Sequence, residues 1–413
     1  MRDLARKHGP LMHLKLGEAS IMVVSSPEIA KQVFKTYDAI FAERPRQFGA
    51  DILCYGSTDI ATARYSNYWK QLRKVSSMEL LSHKRVRSFK SIREEEVMNL
   101  IIWTFANAGS CVNLSKKVVS MTSAITSRAT FGEKCKDEQE FILLMKSWED
   151  CRTDKVRNKR NGGNDESKVD DLLSILLNLV EDPGAFAFES PLTMNKSKLL
   201  FFYMTQDMFG AGVETSSAVI EWAISELVKN PKAMARAQEE VRKAIGIKES
   251  WSSSSSLEEL TYLKAVIKET LRLHPPLPLL LPRECRETCE INGYTISAGS
   301  KVIVNAWAIG RDPKYWGGEE DDAESFRPER FLECSVDYKG SNFEFIPFGA
   351  GRRICPGLYF AVSSIELCVA QLLYYFDWQV PNNGDLDMTE DLGTTARRKN
   401  YLILVPIPWN NNI

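Results

Sequence analysis

Two periods run through the apolar positions of this chain, and each predicts its own elements. Spacing of three and four residues dominates. Phe360, Ala361, Ile365, Cys368, Val369, Leu372 and Phe376 recur on one face of a helix over 358–376. A long helix begins near Thr193, has Phe209-Gly210-Ala211-Gly212-Val213-Glu214-Thr215-Ser216 at its centre, and ends at Asn230-Pro231. Another carries Glu269-Thr270-Leu271-Arg272 and stops at His274-Pro275-Pro276. Helical patterns also start at Trp69, continue through Ile101, Val118, Ile125 and Phe141, and return over 172–180. Strand-like patterns are short. Residues 11–16 and 21–24 flank turn residues and read as a hairpin. Residues 294–296, 301–306 and 401–405 read as strands, and 277–282 as extended by its prolines. Ser26-Pro27-Glu28 has the cap, proline and early acid of a helix start. The reading is a mainly α chain with a small β-rich lobe.

Three stretches break the pattern. Residues 49–67 read as a loop and 251–257 as a serine-rich loop. Residues 152–170 hold only Val156 and Val169 as large apolar side chains, with Gly162-Gly163 and many charges, a loop-like composition. Overall, 44% apolar and 26% charged residues are ordinary for a soluble globular chain. A net charge of −1 argues against a general nucleic-acid binder. Nine cysteines at irregular spacing show no disulfide framework and suggest reduced thiols facing cytosol. Cys285 and Cys289 are four apart, but no second pair or histidine cluster joins them as a zinc site would need. No run of eighteen apolar residues exists, so no membrane-spanning helix is expected. The first ten residues lack the apolar core of a signal peptide.

The candidate chemistry sits in Phe345-Ile346-Pro347-Phe348-Gly349-Ala350-Gly351-Arg352-Arg353-Ile354-Cys355-Pro356-Gly357. Cys355 lies just before a helix N-terminus, where the macrodipole and free N–H groups favour negative charge. Arg352 and Arg353 add positive charge, which biases a thiol toward thiolate. The glycines let backbone approach something flat. Read alone, this serves a reactive thiolate or, as is more common for a lone cysteine in an apolar context, a buried structural one.

The spacing Phe348-x-x-Gly351-x-Arg353-x-Cys355-x-Gly357 resembles the haem-binding loop of the cytochrome P450 family, the haem-thiolate monooxygenases. The resemblance covers nearly the whole chain and is nearest to plant microsomal members. It implies the cytochrome P450 fold as a single domain over 1–413, haem b as cofactor, and Cys355 as the axial iron ligand. Ala211-Gly212-Val213-Glu214-Thr215 resembles the family's oxygen-activation segment, which implies that Glu214 and Thr215 deliver protons. Glu269, Arg272 and Arg330 resemble its Glu-x-x-Arg and Pro-Glu-Arg-Phe signatures, an implied buried ion network. Trp69, Arg73 and Arg283 are implied to reach the haem propionates; indole N–H and guanidinium are donors suited to carboxylates.

The implied function is insertion of one oxygen atom from O2 into an apolar plant metabolite, possibly a terpenoid. The implied partner is an NADPH-cytochrome P450 reductase, for which Arg352, Lys70 and Lys74 offer a basic docking surface. Two alternatives stay open: a reductase-independent haem-thiolate isomerase or dehydratase, and a haem-binding but catalytically impaired relic or fragment. Family members sit on the cytosolic face of the endoplasmic reticulum membrane by an N-terminal anchor, and this sequence is expected to start after that anchor. It is also expected to be shortened around 149–192, where the family places two helices over the substrate, leaving the distal side open and turnover weak.

Overall fold

A computed structural model of the protein describes residues 1–48, 51, 56–132, 194–246, 257–393 and 395–409. The chain divides into two compact units: one of residues 1–45, 99–118 and 214–413, the other of 46–98 and 119–213. The expectations for Phe141, 152–170, 172–180 and the helix pair over 149–192 lie outside the described residues.

In the first unit, α1 (Arg2–His8) leads into the hairpin of β1 (Leu11–Leu16) and β2 (Ala19–Val24). Gly17 turns the hairpin at φ +61, a left-handed conformation that a Cβ disfavours. Ser26 then caps α2 (Pro27–Lys31) by accepting from the Ile29 N–H, with Pro27 at the first helical position. β7 (Lys301–Val304) pairs in parallel with β2 and antiparallel with β4 (Arg283–Glu284), giving the order β1-β2-β7-β4. Val24, Ile29, Val33, Phe34, Phe41, Val302 and Val304 bury together with Ile346 and Ala350. That shared core is what seats the Cys355 loop on the β-rich lobe.

Three expectations change here. Residues 277–282 form a turn, not an extended segment: Leu280 N–H donates to Leu277 C=O at 3.1 Å, and Leu280 has φ +52. A proline's fixed φ suits the second position of a turn as well as an extended chain. The strand expected over 301–306 ends at Val304, because Asn305 caps a short helix, α10 (Ala306–Ile309), by accepting from Ala308 N–H. The last strand, β11, is Ile403–Pro408, pairing β8 (Phe376–Gln379) and β3 (Val112–Asn113).

The helix after the Cys355 loop is α13 (Leu358–Tyr375). By length and composition it could cross a membrane, with mean hydropathy 1.4 over 18 residues. Ser363, Ser364, Glu366 and Gln371 interrupt its apolar run. Here it is a core helix: Ile365, Cys368, Val369, Ala370, Leu372 and Leu373 are almost wholly buried. α9 (Thr261–Leu273) starts without a cap of its own. Glu240, on α8 (Pro231–Gly246), caps it instead by accepting from the N–H groups of Tyr262 and Leu263 at 2.8 and 2.9 Å.

In the second unit, Ser66 accepts from Trp69 N–H and starts α3 (Asn67–Val75). The loop before it is tied down. Tyr68 Oη donates to Thr58 C=O at 2.9 Å, and Ile60 N–H donates to Asp207 Oδ2 at 2.9 Å. Asp207 belongs to α7 (Met194–Lys229), an α-helix that runs unbroken through Gly210 and Gly212. Arg128 holds Glu95 and Glu96 at 2.7 and 2.5 Å.

Candidate active site

Local backbone bonds shape the Cys355 loop. Gly349 N–H donates to Ile346 C=O and Cys355 N–H to Phe348 C=O, both at 2.9 Å, and residues 351–353 make one tight helical turn. Gly351 shows why glycine is needed. At φ +69, a Cβ there would lie 2.4 Å from the Phe34 carbonyl oxygen and 2.5 Å from Asp38 Oδ1. Both the left-handed backbone and the close approach exclude a side chain. Cys355 is partly buried, just before α13, so its sulfur sits at the positive end of an 18-residue helix.

Beneath the loop lies Asp38, which sequence reasoning did not single out. It accepts from the Arg352 backbone N–H at 3.1 Å. It also lies 3.4 Å from the Arg352 guanidinium and 3.8 Å from that of Arg283. Burial raises its carboxyl above the usual range, against the pull of these donors. No local pattern marks Asp38, since its partners are some 240 to 310 residues away in sequence.

Arg283 is the most desolvated cation of the group. It donates to Ala350 C=O at 3.0 Å and Phe41 C=O at 3.3 Å and lies over the Phe34 ring. Its pKa falls well below the usual arginine value, first through burial and then through the positive charge of Arg44, with Arg353 adding to it and Asp38 opposing. Arg44 donates to the carbonyls of Leu281 and Pro282, and Arg353 to that of Ala42. All three arginines are buried. Arg283 donates to carbonyl oxygens, which satisfy donors without cancelling charge. Such a donor set fits an anionic ligand, and haem b carries two carboxylates.

Behind the loop, Glu269 and Arg272 pair through two hydrogen bonds of 2.7 Å, both side chains fully buried. Arg330 Nε reaches Glu269 Oε1 at 3.2 Å. Arg272 also donates to the carbonyls of Gly310, Ala323 and Ser325, and Arg330 to that of Trp316.

On α7, Glu214 is exposed and Thr215 half-buried. Ala211 is exposed, and a Cβ at Gly212 would meet Thr126 at 3.4 Å, an ordinary contact. In the second unit, Trp69 is buried and its one indole N–H donates to Ile60 C=O at 3.0 Å. As placed, Trp69 braces the preceding loop. Arg73 stands one turn further along α3, half-buried.

Sequence reasoning also passed over a buried acid in this unit. Asp207 is pushed up to about 8, by burial first and then by the charge of Asp59. Asp59 is itself buried and accepts from Thr62 N–H at 2.7 Å and from the Thr62 hydroxyl.

Comparisons with known proteins agree with this geometry. The cytochrome P450 family profile matches residues 1–154 and 144–405. Tabersonine 16-hydroxylase 2 of Catharanthus roseus is 46% identical, over 99% of this chain and 88% of its own. Premnaspirodiene oxygenase of Hyoscyamus muticus is 45% identical over the same shares. A zebrafish cytochrome P450 solved with abiraterone superposes with a TM-score of 0.82 at 26% identity, over 98% of this chain and 97% of that one. The chain belongs to the cytochrome P450 family, the haem b monooxygenases, and its curated relatives are plant hydroxylases and oxygenases.

Proposed function

We propose that the chain inserts one oxygen atom of O2 into an apolar small molecule of plant specialised metabolism. In this reading Cys355 is the thiolate ligand of the haem iron, and an NADPH-cytochrome P450 reductase supplies the electrons at the cytosolic face of the endoplasmic reticulum. The observation that carries it is the Cys355 loop at a helix N-terminus beside the buried arginines Arg44, Arg283 and Arg353. When bound, the haem supplies the activation of dioxygen and the oxygen transfer. The protein's part is to hold and orient. Cys355 is the metal ligand, and Gly351 and Gly357 keep side chains off the loop. Arg283, Arg353 and Arg73 receive carboxylates, as does Trp69, whose indole N–H otherwise holds Ile60 in the loop before α3. The small residues Ala211 and Gly212 leave room on α7, and Glu214 and Thr215 move protons. The relatives' names point to terpenoid and alkaloid substrates, and we take the terpenoid class for this chain.

Reconstitution with haem, reduction and addition of carbon monoxide tests the ligand. The thiolate-type Soret band is expected, lost in Cys355→Ala and kept in Cys368→Ala; a band at the histidine-ligated position overturns the assignment. Thr215→Ala should retain haem and substrate binding but release peroxide in place of product. Unchanged coupling of NADPH use to product would remove Thr215 from the proton route.

A second reading has its own support. The alignment to tabersonine 16-hydroxylase 2 runs over 460 positions, more than the 413 residues of this chain, so that relative carries residues with no counterpart here. The family profile also matches in two segments that meet at 144–154. Under this reading the chain is shortened around 149–192 and binds haem with weak turnover, because a less enclosed site sequesters substrate poorly. Haem incorporation with negligible substrate-dependent NADPH consumption would favour it; tight coupled turnover would dismiss it.

A further inference from the structure

Two thiols in the β-rich lobe meet without serving the haem site. Cys285 follows β4 directly and is fully buried, whereas Cys289 opens β5 (Cys289–Ile291) and is half-buried. Their sulfurs lie 3.9 Å apart. The backbone holds them there. Cys285 N–H donates to Ser300 C=O at 2.9 Å, and Gly299 N–H donates to Cys285 C=O at 2.7 Å. Cys289 is paired opposite Ile296 of β6 (Tyr294–Ile296). Between the two cysteines, Arg286 N–H is fixed to Ile40 C=O at 3.1 Å, and Thr288 Oγ1 accepts from Ala298 N–H at 3.2 Å. A disulfide bond is about 2.05 Å, so the two sulfurs must close the remaining gap from 3.9 Å.

We propose that Cys285 and Cys289 are a peroxide-responsive thiol pair that closes to an intramolecular disulfide. The half-buried Cys289 reacts first. The O–O bond of hydrogen peroxide breaks, one oxygen joins the Cys289 sulfur as a sulfenic acid, and the other leaves as water. The Cys285 sulfur then attacks that sulfur, the S–O bond breaks, the S–S bond forms, and a second water leaves with the Cys285 proton. Two thiols are oxidised, one peroxide is reduced, and two waters are produced. Burial pushes Cys285 up to about 12 and raises Cys289, so little thiolate is present and the reaction with peroxide is slow. The new bond closes a ring over 285–289 and tethers the strand that carries Arg283, whose guanidinium is bonded to Ala350 in the Cys355 loop. The inference is independent of haem turnover, since peroxide can be added from outside.

The test uses the full haem-loaded chain, treated with hydrogen peroxide, alkylated and digested with trypsin. Cleavage after Arg283, Arg286 and Lys301 puts the two cysteines on separate peptides. The expected product is those peptides joined, two hydrogens lighter than their sum and separated by dithiothreitol. In Cys285→Ser the joined species should vanish and Cys289 should persist as a sulfenic acid trapped by dimedone. Cys289→Ser, at the less buried position, should also lose it and keep the haem spectrum. Exposed Cys334 and Cys111 serve as internal controls. The proposal is overturned if both peptides carry alkyl groups at a peroxide dose that oxidises Cys334. It is equally overturned if Cys285 is recovered joined to any cysteine other than Cys289.

Discussion

Two groups of buried arginines in the first unit treat charge in opposite ways. Around Glu269, the Arg272 guanidinium meets its carboxylate through two hydrogen bonds, and Arg330 shares it. The remaining donors end on backbone carbonyls and on Asp322. Gly310 shows how close that fit is, since a Cβ there would lie 2.6 Å from the Arg272 carbonyl oxygen. Around Asp38, by contrast, Arg44, Arg283 and Arg353 are buried, and each donates to a backbone carbonyl. The first group is closed within the protein. In the second, Arg283 is desolvated beside the positive charges of Arg44 and Arg353 with Asp38 opposing, and an anionic ligand would stabilise it.

The largest effect should come from breaking the closed group. Arg272→Ala leaves the Glu269 carboxylate buried without its main partner, which costs about 3–5 kcal/mol. The loss should be alike with and without haem, measured by denaturant unfolding of both forms. A loss under about 1 kcal/mol would mean that the group is not the scaffold described here.

Arg283→Met should separate the two groups more sharply. Removing a desolvated cation should leave the haem-free protein as stable or more so. Haem should bind more weakly by about 1.5–3 kcal/mol, the usual loss of a hydrogen bond to a charged group. Haem dissociation rates and haem-free unfolding midpoints check both halves. A haem-free loss as large as that of Arg272→Ala would erase the distinction.

The smallest effect concerns the second unit, where an excess of negative charge is relieved by a proton instead of a ligand. Asp207 titrates near 8 in the folded chain, far above an unfolded aspartate. The folded state therefore holds a proton that the unfolded state has released, and stability falls as pH rises from about 4 to about 8. Above that window both states are ionised and the dependence levels off. Asp207→Asn cannot titrate and keeps an acceptor for Ile60 N–H. Its thermal midpoint should gain on the parent between pH 5 and pH 8.5. An equal difference at both values would show that Asp207 does not titrate as proposed between them.

Legibility in the sequence followed the range of the interaction. Ser26 and Ser66 stand within three residues of the N–H groups they accept from, and Gly17 turns its hairpin locally. The Glu269–Arg272 pair is one helical turn apart. Such features repeat a local rule, so local reading finds them. The turn at Leu280 was missed because proline permits two backbone outcomes.

Sequence alone determined the helical faces, the β-rich lobe, the Cys355 loop and the family to which they lead, because each is a pattern of neighbours. Tertiary structure decided that Asp38 lies under Gly351, that Trp69 spends its N–H on Ile60, that Glu240 caps a helix other than its own, and that Cys285 and Cys289 share one small space. The reason is physical. Desolvation and charge balance depend on which distant groups surround an atom, and no local spacing encodes that company.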